Sequence, residues 1–204
     1  GLNGMFVDTT ALKEQVVDDV CISAFNSAGQ RCSSLRILFL PHDTADGVIE
    51  TLTGAMDCLV LGDPADPRTD IGPIIDAEAK ANLDKHMERM KREAKVLKQI
   101  DVSHLGGNFF GPAVIELSGL DQINREVFGP VLHIVRYDPA EVSKIGAQLA
   151  SKGYGLTQET KDFVEALRKQ TRVVLVLFGN PYSAKFFENV PNLLVCYEED
   201  DEVQ

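Results

Sequence analysis

The run Phe25-Asn26-Ser27-Ala28-Gly29-Gln30-Arg31-Cys32-Ser33-Ser34 places one thiol on a loop, after a stretch of helical apolar spacing and before a short apolar run. A loop held between two rigid elements can present a thiolate and aim a backbone N–H at an oxyanion developing on an attacked carbonyl. Arg31 is a cation that favours the thiolate when it turns towards the sulfur and contributes nothing when it points away. Cys21, Cys58 and Cys196 lack such a setting, and a lone cysteine is most often a small, inert hydrophobe. Cys32 is therefore the candidate nucleophile.

Other chemistries find less support. The sequence has no CxxC, and His42, His86, His104 and His133 are scattered, so no metal site is expected. No GxGxxG phosphate loop occurs. A net charge of -11 argues against a nucleic-acid partner, because phosphate binding needs a basic face. Part of that charge lies in Glu198-Glu199-Asp200-Asp201-Glu202, which reads as a solvated acidic tail. Four cysteines among 204 residues do not make a disulfide framework, which points to a reducing, cytoplasmic compartment. There is no signal peptide and no apolar run long enough to span a bilayer, so no membrane partner is expected.

The elements that must position the thiol follow from periodicity. Residues 5–8 read as a short strand. Over residues 11–28 the apolar positions Leu12, Val16, Val17, Val20, Cys21, Ala24, Phe25 and Ala28 recur at helical spacing, and Gly29 is the stop. Residues 35–40 read as a buried strand ended by Pro41. Asp43 is the expected cap of a helix with an inner stripe of Val48, Leu52, Ala55, Met56 and Leu59. After the turn-rich loop over residues 62–67, residues 76–99 read as one long charged helix packed through Ala79, Leu83, Met87, Met90, Ala94 and Leu97. Strands are expected at 113–117 and 131–137, and a helix at 140–151, closed by Gly153-Tyr154-Gly155. A further helix is expected at 159–170, with strands at 173–178 and 193–196. The alternation predicts an α/β fold, an open and largely parallel sheet with flanking helices.

The segment around Cys32 resembles the active-site loop of the aldehyde dehydrogenase superfamily. Glu126-Val127-Phe128-Gly129-Pro130 is similar to that family's cofactor motif. Gly62-Asp63-Pro64 and Ile71-Gly72-Pro73 fall between the two in the family's order, with Gly153-Tyr154-Gly155-Leu156-Thr157 behind. Gly1-Leu2-Asn3-Gly4-Met5-Phe6-Val7-Asp8, Gly29-Gln30-Arg31-Cys32-Ser33 and Glu126-Val127-Phe128-Gly129-Pro130-Val131-Leu132-His133 resemble the L-glutamate γ-semialdehyde (1-pyrroline-5-carboxylate) dehydrogenases of proline breakdown. The nearest resemblance is to the form fused to proline dehydrogenase in bacterial bifunctional enzymes, and it covers residues 1–157.

The resemblance implies a thiohemiacetal on Cys32, its oxygen held partly by the Cys32 backbone N–H, then hydride transfer to NAD and hydrolysis of a thioester. NADP is the alternative cofactor. It implies that Glu126 binds the nicotinamide-side ribose hydroxyls, that Phe128 packs against that end of the cofactor, and that Ser33 lines the aldehyde site. Without it, Glu126 reads as a solvent-facing carboxylate, Phe128 as a core aromatic and Ser33 as a hydroxyl bonded to its own loop. The family's general-base glutamate, oxyanion-hole asparagine and dinucleotide-binding domain would lie before Gly1. Its substrate-anchoring loop and oligomerisation hairpin would follow Thr157, and the parent family is oligomeric.

None of those parts is recognisable here, so most of the NAD site is expected to be absent. The expectation is a catalytic-domain fragment of the dehydrogenase at residues 1–157, inactive alone, joined to an α/β tail of different origin at 158–204. A non-enzymatic truncated or chimeric chain is the alternative. The tail, through Thr171–Tyr182, Phe186-Phe187 and Leu194-Val195-Cys196-Tyr197-Glu198, resembles the C-terminal α/β domain of bacterial family 3 glycoside hydrolases of the β-N-acetylhexosaminidase type. That resemblance implies no glycosidase chemistry, because the family's catalytic machinery sits chiefly in an upstream barrel.

Overall fold

The computed structural model describes residues 2–123, 125–138 and 140, together with the strands at 175–179 and 194–197. Among the described residues the strands are β1 (Asn3–Val7), β2 (Leu35–Pro41), β3 (Lys95–Gln99), β4 (Ala113–Leu117), β5 (Val131–Tyr137), β6 (Leu175–Gly179) and β7 (Leu194–Tyr197). They form one sheet in the order β3-β4-β5-β2-β1-β6-β7. The pairs β4–β5, β5–β2, β2–β1 and β6–β7 run parallel. The pairs β3–β4 and β1–β6 run antiparallel. This is the expected α/β fold with an open, largely parallel sheet.

The apolar run Leu35-Arg36-Ile37-Leu38-Phe39-Leu40 occupies the middle of that order, and every residue of β2 is buried. A strand covered on both faces needs an unbroken apolar sequence, and this one has it except at Arg36. Phe6 of β1 stacks on Phe39 of β2, with ring centroids 4.1 Å apart and planes 4° from parallel. Tyr137 closes the same cluster edge-on and donates its hydroxyl to the Val7 carbonyl, 2.8 Å away.

Helix α1 (Lys13–Phe25) buries Val16, Val17, Val20, Ala24 and Phe25, and α2 (His42–Met56) buries Ala45, Val48, Leu52 and Met56. The two pack on each other and on β2 and β5. Asp43 is not the cap of α2: the helix starts at His42 with Pro41 at its cap position, and no side chain closes that end. Asp43 lies in the first turn, where a carboxylate still suits the positive end of the helix dipole.

Helix α3 (Ala77–Glu93) begins where Asp76 accepts the Ala79 amide at 2.7 Å. It does not continue to residue 99. Ala94 turns extended (φ -141°, ψ 179°), and Lys95–Gln99 pairs with β4 as an edge strand. Val96 and Leu97 satisfy helical and strand patterns equally well at this length, and the free edge of β4 decides between them. The expected helix at 140–151, the 153–155 closure and the helix at 159–170 lie outside the described residues. Among the described residues, no helix is long and apolar enough to cross a membrane, and no group of three or more His, Cys, Asp or Glu could hold a metal ion.

Candidate active site

The loop carrying Cys32 begins with a reversal. After Phe25, residues Ser27, Ala28 and Gly29 take φ of 54°, 52° and 60°, a left-handed turn that ends the helix three residues before the expected stop. Side chains at positive φ cost about 1–2 kcal/mol each, so Ser27 and Ala28 are strained, and the strain sits where the chain must turn towards the thiol. Gly29 has no substitute. A Cβ there would lie 2.1 Å from the Gly129 carbonyl oxygen. The reason is a direct backbone contact: the Gly129 N–H donates to the Gly29 carbonyl at 3.1 Å. The turn before Cys32 and the 126–130 turn thus touch main chain to main chain. Gly129 is itself confined, because a Cβ on it would fall 2.3 Å from Leu83 of α3.

Beyond Gly29 the Ser34 N–H donates to the Arg31 carbonyl at 3.1 Å, closing a four-residue turn with Cys32 and Ser33 at its centre. Cys32 is exposed at its apex, while Ser33 is half-buried and Ser34 buried. Three polar side chains hold this turn. Asn3, 8% exposed at the start of β1, donates its Nδ2 amide to the Cys32 carbonyl at 2.6 Å and to the Ser34 carbonyl at 2.9 Å. Gln30 accepts the Ile75 amide at 2.8 Å and donates to the Pro73 carbonyl at 3.3 Å, tying the loop to the Gly72-Pro73 segment. Each such bond contributes roughly 1 kcal/mol, and together they remove the turn's freedom to rotate.

Arg36 of β2 is the third. Its guanidinium is 1% exposed. Nη1 donates to the Gly129 carbonyl at 3.0 Å and Nη2 to the Arg31 carbonyl at 3.0 Å. Nε and Nη2 both lie 3.4 Å from Glu126 Oε1. The same guanidinium carbon stands 5.3 Å from the centroid of the Phe128 ring. Burial pulls the guanidinium's pKa down, and the Glu126 carboxylate, with a smaller part from Cys32, pushes it back.

Behind Arg36 lies a buried histidine pair. His133 of β5 approaches the Arg36 carbonyl with Nδ1 at 3.0 Å, and its Nε2 is 2.9 Å from Nε2 of His86 on α3. A carbonyl only accepts, so His133 carries its proton on Nδ1 and its Nε2 must accept from His86. Burial is the main force keeping both neutral, with His86 pushed down to about 4 and His133 to about 3.

Cys32 stands exposed on the turn, and Ser33 follows it, half-buried. Glu126 is partly buried against Arg36, with 16% of its side chain exposed, rather than free in solvent. Phe128 is 46% exposed and is not a core aromatic. The buried cation beside the turn is Arg36, four residues on, which holds the Arg31 carbonyl next to Cys32, whereas Arg31 itself is exposed. Sequence reasoning missed Asn3 and Arg36. One signal was available: a single arginine inside an otherwise apolar strand has to be paired with something.

These side chains lie at the amino-terminal ends of the parallel strands: Asn3 opens β1, Cys32 precedes β2 and Pro130 precedes β5. Ligands of open α/β sheets more commonly sit beyond the carboxyl ends. The half-exposed Phe128 ring and the Glu126 carboxylate fit the nicotinamide-ribose end of a dinucleotide, a flat ring and a diol. No glycine-rich phosphate loop is present in the sequence to hold the pyrophosphate.

A model described as the aldehyde dehydrogenase family matches residues 1–172. The bifunctional protein PutA of Klebsiella aerogenes is 46% identical over 166 residues, covering 77% of this chain and 12% of its own length. A crystal structure of a bifunctional proline utilization A protein superposes with a TM-score of 0.75 at 44% identity, covering 81% of this chain and 17% of that one. A glyceraldehyde-3-phosphate dehydrogenase, GapN from Methanocaldococcus jannaschii, solved with NADP, superposes with a TM-score of 0.66 at 27% identity, covering 72% of this chain and 32% of that one. The glycoside hydrolase resemblance of the tail gains no support from these comparisons, and the family match runs past residue 157.

Proposed function

The chain belongs to the aldehyde dehydrogenase family, and on that premise we propose that it carries the thiol half of an NAD(P)-dependent oxidation of L-glutamate γ-semialdehyde to glutamate. The substrate follows from the resemblance to proline-breakdown dehydrogenases and from relatives named for proline utilisation. One observation carries the chemistry: an exposed thiol at the apex of a turn whose lead-in residue, Gly29, is bonded backbone to backbone to the turn bearing Glu126 and Phe128. The chain spans 12% of the length of its PutA relative, so the whole reaction is assigned to a larger assembly of which this segment supplies the nucleophile.

In this reading the Cys32 thiolate adds to the aldehyde carbon, and the carbonyl oxygen becomes an oxyanion facing the Cys32 N–H. NAD or NADP, when bound, would supply the hydride acceptor for the thiohemiacetal carbon, and water would cleave the resulting Cys32 thioester to the carboxylate and the thiolate. Glu126 would hold its ribose hydroxyls, Phe128 would pack on its nicotinamide end and Ser33 would line the aldehyde site. The free thiols fit the reducing environment of the cytoplasm.

The test uses iodoacetamide at pH 8 and reads each cysteine by peptide mass. Cys32 is expected to label faster than Cys58, the other exposed thiol among the described residues, and much faster than Cys21, whose thiol burial and Asp18 push up to about 11. Adding glutamate γ-semialdehyde should slow Cys32 alone. Equal labelling of Cys32 and Cys58, with no protection by the aldehyde, would remove the nucleophile.

A further inference from the structure

We propose that Arg36 is the positioning residue of this site: its guanidinium aims the Cys32 amide, the oxyanion donor, by gripping the Arg31 carbonyl while it holds the 126–130 turn. The proposal rests on reading Cys32 as the nucleophile and Glu126 with Phe128 as the cofactor side.

The Arg31 carbonyl and the Cys32 N–H belong to one rigid trans amide and point in opposite directions. Fixing the carbonyl oxygen therefore fixes where the N–H points. Two donors fix it, the Ser34 N–H at 3.1 Å and Arg36 Nη2 at 3.0 Å. The next plane is set by Asn3 through the Cys32 carbonyl. Between these two planes the Cys32 Cα has little freedom left.

Arg36 can do this because of its place and its shape. It lies in the central strand, where an unpaired charge is strongly unfavourable, so its contacts are obligatory. A planar fork with five N–H donors reaches the Arg31 carbonyl on one side and the Gly129 carbonyl and Glu126 on the other, segments some ninety residues apart in sequence. An ammonium could take one of these places and would leave the others empty. The groups facing it are Glu126 and Cys32 at the site and, from β5, His133, which bonds the Arg36 carbonyl and is backed by His86. Both histidines are neutral near pH 7, so neither adds a positive charge beside the guanidinium, and Arg89 and Arg125 are the further cations near the pair. Arg36 acts through Cys32 and Glu126.

The experiment uses the 204-residue chain with Arg36→Met and Arg36→Lys. Two readouts are taken: the iodoacetamide rate of Cys32 at pH 8, with Cys58 as internal reference, and the 15N-cysteine amide spectrum. Folding is checked by thermal melting. In Arg36→Met the Cys32 amide resonance should be displaced and the Cys32 rate should fall by about tenfold towards that of Cys58, with Cys58 unchanged. Arg36→Lys keeps the charge, so the rate should return while the Cys32 amide resonance stays displaced. A folded Arg36→Met with the original Cys32 rate and amide resonance overturns the proposal. Should Arg36→Met fail to fold, Arg36→Lys decides, and an undisplaced Cys32 amide resonance there overturns it. If Cys32 of the unaltered chain is no faster than Cys58, the nucleophile reading fails on its own account, separately from Arg36.

Discussion

At the scale of single residues, chemistry and conformation meet at Gly29. It has φ of 60° and lies against the Gly129 carbonyl, so it answers two demands that no other residue type meets. Gly29→Ala is expected to lower stability by at least about 2 kcal/mol, from strain at positive φ plus displacement of the Gly129 turn. Urea unfolding measures the loss, and a midpoint unchanged within error would mean the two turns are not in contact. Cys32 and its loop were legible in the sequence because a thiol between helical and strand periodicities is a local pattern. Arg36 was not, since its partners Glu126 and Gly129 are distant in sequence and only pairing of β2 with β5 brings them near. Arg31 was the cation adjacent in sequence, but a turn points neighbouring side chains apart.

At the scale of elements, strands 113–117 and 131–137 were readable to the residue, because they are short apolar runs bounded by Gly, Pro or Asp. The boundary between α3 and β3 was not, because Ala94, Val96 and Leu97 fit either period and the choice is made by β4's free edge. The packing of α3 on β5 makes the histidine pair, and with it a pH dependence whose sign is fixed. Both imidazoles have folded pKa values, about 4 for His86 and about 3 for His133, below the 6.5 of an unperturbed histidine. The unfolded chain therefore binds these protons first. Their contribution is fully present above about pH 6.5 and is lost as pH falls from there towards 4. Urea midpoints should drop between pH 7 and 5, and His86→Gln, which keeps a donor for His133 Nε2, should roughly halve that drop. A flat profile over this window would show that the pair is not buried neutral.

For the whole molecule, the site's position at the amino ends of β1, β2 and β5 leaves Cys32 and Phe128 open to a ligand brought from outside the sheet. The matched stretch makes up 12% of its PutA relative, and the 204 residues alone, given glutamate γ-semialdehyde and NAD, are expected to form no NADH above the Cys32→Ala background. Absorbance at the reduced nicotinamide band checks this, and a rate that Cys32→Ala abolishes would show that these residues bind the cofactor by themselves. What the sequence by itself determined was the fold class and the family, and it singled out one loop thiol, because each is written in local patterns of period, turn residues and motif. Which cation lies buried beside the turn of that thiol, which amide braces it and where helix gives way to strand at residue 94 were decided only by the tertiary structure. Those choices depend on groups some thirty to a hundred residues apart in the chain, and sheet pairing alone sets the distance between them.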